Sequence, residues 1–281
     1  MEKLKRNWTS MTTKALRVCM PNIALKLANK VFFQPKRKVS KWPKHVKQIE
    51  FHSRYGRLKA YKYGEGKSIW LVHGWAGCAF DYWPLMQKLA EQGYATISFD
   101  FPAHGNSPGD FCNLAKMIKS FDDIAESLLT PNMVISHGLG ASVIANSRWF
   151  KSFNKDLLLV APVLDLYQLL QSRIALSGFD QVLFEQLINR VAKREKLSIT
   201  ELCTKAKLKA FVGQLKVIHD IQDDYAPFST SQQFSELSKV SLVATNKLGH
   251  TKLLHSKRVL NVIESYQHPA CSALVEWSNV S

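Results

Sequence analysis

The stretch Val134–Val143, "VISHGLGASV", places a strand-sized apolar run ahead of a glycine-rich break, then continues in small residues that suit a helix. It reads as a buried strand, a sharp turn and a helix start. Elbows of this kind hold up a serine on the pattern small-x-Ser-x-small. Here the frame is Ser136-His137-Gly138-Leu139-Gly140, and the residue at the tip is Gly138. Glycine has no side-chain atom that can attack a substrate.

The same strand-then-helix rhythm extends in both directions. "SIWLVHG" (68–74), "YATISFDF" (94–101), "DLLLVAP" (156–162), "QLKVIHD" (214–220) and "VSLVAT" (240–245) read as further strands. "DYWPLMQKLAEQG" (81–93) and "LAKMIKSFDDIAESLL" (114–129) have helical spacing between them. Continuous apolar strands alternating with helices predict a mostly parallel sheet covered on both faces, an α/β fold. Upstream, "IEFHSRYGRLKAYKYG" (49–64) alternates around a Tyr-Gly turn, which predicts an antiparallel hairpin. One interval breaks the rhythm. Residues 163–212 are helical in pattern, rich in Leu, Lys and Gln, and contain no strand candidate. Ligands of α/β sheets bind beyond the carboxyl ends of the strands, so this insertion is expected to roof the site as a cap; the plainer alternative is a peripheral helical decoration.

The chain has 281 residues, 46% of them hydrophobic, which suffices for one large core. Its apolar runs are far short of a bilayer span, and no apolar region with a cleavage site follows the basic N-terminus. The five cysteines (Cys19, Cys78, Cys112, Cys203, Cys271) are odd in number and scattered, which points to reduced thiols in a cytoplasm and away from disulfides or a zinc site. Charge is uneven. Residues 1–50 hold 13 Lys and Arg against Glu2 and Glu50, so most of the net +16 sits at the front. Within this segment "NIALKLANKVFF" after Pro21 predicts a short amphipathic helix, and Trp42 lies among lysines in "QPKRKVSKWPKHVK". Residues 1–45 could touch an anionic membrane surface, or form a solvated leader packed along the domain. No recognition pattern for specific nucleic-acid binding accompanies the charge.

Four fragments fall in order at strand ends. In "VHGWAG" (72–77) the glycines let the chain turn so that a backbone N–H, that of Trp75, faces the site. In "FDFPAHGNSPG" (99–109), Asp100, Gly105, Ser107 and Gly109 shape a loop. At the elbow, the N–H of Leu139 opens a helix and supplies a second donor for an oxyanion. The last fragment is the pair "HDIQDDYAP" (219–227) and "LGHTKLL" (248–254), which sets Asp223 and His250 in loops after strands. Asp165 is an alternative acid, Asp224 a solvated neighbour, and His73 and His104 loop histidines with a structural role.

Together these fragments resemble the α/β-hydrolase superfamily from about Ile49 to Tyr266, and in particular bacterial single-domain hydrolases carrying HGWxG, FDxPAHGxSxG, HDxxDxxxP and GLGH. The order nucleophile, Asp, His is the one expected for that fold. The resemblance implies an eight-stranded sheet with acid and base at Asp223 and His250; with the uneven charge it divides the chain into a basic N-terminal extension over 1–48 and a hydrolase domain over 49–281. It also implies an ancestry of carboxylic-ester or acyl hydrolysis on a small apolar substrate, with no cofactor and no metal. The sequence matches the family elbow at His137 and Gly140 and departs from it at Gly138. In a serine protease, loss of the nucleophile costs about 10⁶ in rate, so an acyl-enzyme on residue 138 is excluded. Ser136, Ser142 and Cys78 are candidate substitutes, each with a bland reading as a small buried residue. Two functions stay open: slow hydrolysis driven by His250, and a non-catalytic binding module. The N-myc downstream-regulated family and the neuroligins are similar to the second case, sharing the fold without the serine. The substrate pocket is expected to involve Leu166, Tyr167, Phe179 and Phe184.

Overall fold

The computed structural model describes residues 2–197, 201–202, 204–236 and 240–266. Eight strands form one sheet in the order β1-β2-β4-β3-β5-β6-β7-β8. They are β1 Lys47–Ser53, β2 Gly56–Tyr63, β3 Lys67–Val72, β4 Tyr94–Phe99, β5 Met133–His137, β6 Asp156–Val160, β7 Leu215–Asp220 and β8 Val240–Thr245. The β1–β2 hairpin is antiparallel, and β2 joins β4 antiparallel. Every other pairing is parallel.

Strict alternation along the central strands divides the core into two. Trp70, Val72, Val134, Leu157, Leu159 and Val217 belong to the core on one face of the sheet. Their neighbours Ile69, Leu71, Ile135, Leu158, Val160 and Ile218 belong to the core on the other. A strand buried on both faces therefore reads as a continuous apolar run. The first face is covered by α4 (Leu114–Ala125), α5 (Gly140–Asn146) and α8 (Thr204–Lys209), which contribute Phe121, Ile144 and Leu208. The second is covered by α3 (Trp83–Glu91) and α11 (Lys257–Glu264), which contribute Met86, Leu89, Val259 and Ile263.

Between β6 and β7 run α6 (Leu166–Ser177), α7 (Gln181–Glu195) and α8, with no strand among the described residues. Asp165 caps α6 by accepting from Gln168 N at 3.0 Å, and Asp180 caps α7 by accepting from Leu183 N at 2.8 Å. The far end of α7 is held by a carboxylate. Glu195, only 5% exposed, accepts from Lys119 Nζ (3.3 Å) on α4 and Tyr55 OH (3.2 Å) in the β1–β2 turn.

The N-terminal segment differs from the expected single short helix. It forms two, α1 (Glu2–Cys19) and α2 (Pro21–Phe33), with Pro21 opening the second. The side of α1 facing α6 and α7 is Thr9, Thr13, Leu16 and Arg17, a row with one large apolar residue, so hydrophobic periodicity could not announce it. The helix is fastened by polar contacts instead. Arg17 Nε donates to Asp180 Oδ1 at 2.7 Å, and Asp180 N donates to Thr13 Oγ1 at 3.1 Å. Helix α2 buries Ala24, Leu25 and Ala28 against Leu183 and Leu187 of α7. Residues 34–46 then run as a strap along the 100–109 loop, where Arg37 donates to the carbonyls of Gly105 and Ser107 and Trp42 stacks on Tyr61.

This docking corrects the expected pocket lining. Phe179 and Phe184 pack edge-on and tilted against Phe32 of α2, with centroids 5.0 and 5.3 Å away. Tyr167 is half exposed, and Leu166 packs at the margin of the main core. An apolar helix face is satisfied by whatever covers it, and α2 covers this one. Cys203, Cys271 and the tail from residue 267 lie outside the described residues.

Candidate active site

All the fragments picked out at strand ends meet at the carboxyl edge of the parallel strands, the place where α/β sheets bind ligands. At the end of β5 the chain turns through Gly138 at φ +55°, in the left-handed region that L side chains rarely adopt. The turn is fastened by Gly138 N donating to Val160 O (3.0 Å) and by Val163 N donating to Gly138 O (3.0 Å). The loop after β3 presses directly on it. A Cβ at Gly74 would fall 2.9 Å from Leu139 N and 2.7 Å from His137 O, so only glycine permits the approach. This brings Trp75 beside the elbow, and the following residue, Ala76, also has positive φ, +56°. Neither Trp75 N nor Leu139 N donates to a backbone carbonyl among the described residues.

Opposite the elbow stands His250, in the short helix α10 (Gly249–Lys252) after β8. Its Nδ1 lies 2.7 Å from Asp223 Oδ2. Because an ionised carboxylate only accepts, Nδ1 carries the proton and Nε2 keeps a free lone pair. A Cβ built on Gly138 would sit 3.1 Å from that Nε2, so the ring's free nitrogen faces the empty side-chain position.

Asp223 is saturated with donors. Tyr225 N and Ala226 N each donate to Oδ1 at 2.8 Å. Oδ2 accepts from His250 and, at 3.0 Å, from Nε2 of His219. Burial alone would raise this carboxyl, but the hydrogen bonds from His219 and His250 outweigh it and hold the group well below the usual carboxylate range. His219 is fully buried. Its Nε2 also faces Ala226 O at 3.1 Å, and its Nδ1 lies 2.7 Å from Ser231 Oγ. Two acceptors at Nε2 place the proton there, so Ser231 donates to Nδ1. The sequence showed His219 only as part of "HD"; its one signal was a polar residue directly after the apolar pair Val217-Ile218.

His137 reaches across to His250. Its Nε2 donates to the backbone carbonyl of His250 at 3.0 Å, and the rings lie 4.6 Å apart. Burial and the neighbouring His250 lower its pKa to about 4, so it is neutral at pH 7. Tyr225 closes the other side of His250, with ring centroids 4.7 Å apart. Arg173 of α6 lies over the Tyr225 ring at 4.9 Å and donates to Asp224 O at 2.8 Å, which ties the inserted helices to the loop of Asp223. Asp220, three residues before Asp223, accepts from Thr245 Oγ1 (2.7 Å) and Leu248 N (3.1 Å), clasping β7 to the turn before His250.

The other candidates are engaged elsewhere. Asp165 caps α6 and pairs with Lys205 at 3.3 Å, and Asp224 is exposed. His73 donates from Nδ1 to Gly74 O and accepts from Phe101 N at Nε2, while His104 donates to Pro102 O. Asp100, pushed up to about 6 by burial, accepts from Ala79 N and Asn106 N and so braces the 100–109 loop. Ser107 Oγ donates to Asp100 O at 2.7 Å, closing that loop on itself. Ser142 donates to Val163 O, Ser136 is wholly buried with no partner among the described residues, and burial raises the Cys78 thiol to about 11. None has a base beside it. Among the described residues no group of three or more His, Cys, Asp or Glu is arranged to hold a metal.

Known proteins supply the same frame. An esterase of Pyrococcus furiosus superposes with a TM-score of 0.58 at 20% identity, covering 88% of this chain and 98% of that one. The thioesterase domain from the curacin biosynthetic pathway gives 0.58 at 14% identity, covering 78% and 98%. Mouse alpha/beta hydrolase domain-containing protein 10 gives 0.58 at 15% identity, covering 80% and 99%. No curated protein sequence matches the chain. The sequence model of the Alpha/beta hydrolase family matches residues 71–258, a span that runs from β3 through the elbow to the loops of Asp223 and His250. The chain belongs to the alpha/beta hydrolase family.

Proposed function

We propose that this protein descends from a carboxylic-ester or acyl hydrolase and retains the acid–base half of that site without its covalent half. The carrying observation is the Asp223–His250 pair at 2.7 Å, with the free nitrogen of His250 facing Gly138. With no side chain at the elbow to attack, the remaining chemistry is direct attack by water on a small apolar ester. His250 Nε2 takes a proton from the water as its oxygen bonds to the acyl carbon. The carbonyl oxygen becomes an oxyanion, held by the amides of Trp75 and Leu139. When the tetrahedral species collapses, the bond to the alcohol breaks and His250 returns the proton to the leaving oxygen. Asp223 keeps the ring in the required tautomer throughout. Such a site works slowly, because in a serine protease oxyanion donors and binding alone sustain only about 10³–10⁴ over water.

A second reading is a non-catalytic module that binds a ligand or partner in the same cleft. Gly138 itself favours it. At φ +55° a side chain carries strain on the order of 1–3 kcal/mol, and a chain released from chemistry gains by losing it.

The two readings separate in one series. Purified wild type, Gly138→Ser, Gly138→Ala and His250→Ala are assayed on short p-nitrophenyl esters. Slow turnover without a burst in the wild type, abolished by His250→Ala, supports His-driven hydrolysis. Turnover gained by Gly138→Ser and absent from Gly138→Ala shows the acid and base to be poised. No turnover in any variant favours the binding module. Labelling of the wild type by a fluorophosphonate probe would overturn both readings.

A further inference from the structure

The two N-terminal helices turn an apolar face away from the protein. On α1, Trp8, Met11 and Val18 recur at helical spacing, opposite the Thr13–Arg17 side that meets the cap, and Met11 is 71% exposed. On α2, Ile23, Leu27 and Val31 follow i, i+4, i+8, away from the buried Ala24, Leu25 and Ala28, and Leu27 is 50% exposed. The helices pack on each other, so the two rows lie on neighbouring surfaces of one hairpin. Lys14, Lys26 and Lys30 are exposed among these side chains. Glu2 is the only acidic residue from the start of the chain to the end of the strap at residue 46. No described helix is long and apolar enough to cross a membrane.

We propose that the α1–α2 hairpin is a membrane-surface dock, laying its apolar rows into the interface of an anionic phospholipid bilayer while its lysines meet the headgroup phosphates. Charge selects this occupant. A second copy of the chain would set Lys14, Lys26 and Lys30 against their own counterparts in a self-complementary contact. A nucleic acid would take the lysines and leave six large apolar side chains in water. An anionic bilayer accepts both, since its phosphates attract the lysines and its acyl boundary takes aliphatic and indole groups. The hairpin rides on α6 and α7, so docking holds the inserted helices next to the bilayer.

The test uses the full-length protein in flotation with phosphatidylcholine vesicles, with and without phosphatidylglycerol. The expected result is flotation with the anionic vesicles alone, weakened at high salt. Leu27→Glu/Val31→Glu and Lys26→Gln/Lys30→Gln each change exposed side chains, so melting temperatures stay at the wild-type value while partitioning falls about tenfold or more. Absence of flotation overturns the proposal. So does flotation that the Leu27→Glu/Val31→Glu variant retains, because adsorption would then rest on net positive charge elsewhere. A dimer by light scattering that this variant dissolves, without lipid binding, identifies the face as a self-interface and overturns it too.

Discussion

Gly138 is a local choice with two separable consequences. Its φ of +55° is free for glycine and strained for alanine or serine, and the new Cβ would stand 3.1 Å from His250 Nε2, close enough that the ring must give by a few tenths of an ångström. Gly138→Ala and Gly138→Ser are therefore both expected to lose about 1–3 kcal/mol of stability, a fall of several degrees in melting temperature, measured by thermal unfolding. Equal or higher melting temperatures in both variants would refute the strain argument. The chemical consequence belongs to serine alone, because only its Oγ can share a proton with Nε2. Asp223, His250 and the elbow were legible in the sequence because each lies in a short motif tied to a strand end. His219 was not. Its role depends on a carboxylate four residues on folding back over the strand end, and on Ser231 arriving from α9 (Phe228–Ser235), and no periodicity records such closures.

Helix α7 shows how an element is positioned by its ends. Its N-terminus is capped by Asp180, which also receives Arg17 and binds α1. Its C-terminus carries Glu195, where the helix dipole disfavours negative charge, so the buried carboxylate has to be compensated from outside. Lys119, Tyr55 and Arg194 supply that compensation. Glu195→Ala is expected to cost about 2 kcal/mol, and Glu195→Gln less, since an amide oxygen still accepts from Tyr55 or Lys119. Faster limited proteolysis between α7 and α8 in Glu195→Ala, read with the fall in melting temperature, would show that this clamp holds the inserted helices. Proteolysis at the wild-type rate would place the restraint in α1 and α2 instead. The strands and most helices were readable because their burial is set by neighbours in the same element or the same sheet. The helix α1 and the packing of Phe179 and Phe184 were hidden, since these rings look alike whether a substrate or α2 covers them.

At the scale of the whole molecule, folding takes a set of titratable groups out of water. Burial holds His73 well below its ordinary pKa and His104 and His137 at about 4, so all three fold as neutral rings. In the unfolded chain they take up protons near pH 6.5. As pH falls from 6.5 towards 4, the unfolded state therefore gains three protons that the folded state refuses, and stability drops. Asp100 opposes this. Burial raises its folded value to about 6, so on the way from 6 to 3.8 the folded state gains a proton that the unfolded state does not. The balance is about two protons in favour of the unfolded chain, or roughly 3 kcal/mol per pH unit near pH 5. The stability that the three histidines lose in acid is fully present above pH 6.5, where both states leave them neutral. The melting temperature is expected to fall on the order of 10 °C between pH 7 and pH 5. His104→Gln isolates one group, because its ring makes a single hydrogen bond, to Pro102 O, and its Nε2 has no partner among the described residues. The variant should lose about one proton from the slope and show a shallower fall over the same interval. An unchanged slope would mean that His104 takes up its proton in the folded state and that the acid sensitivity resides in His73 and His137.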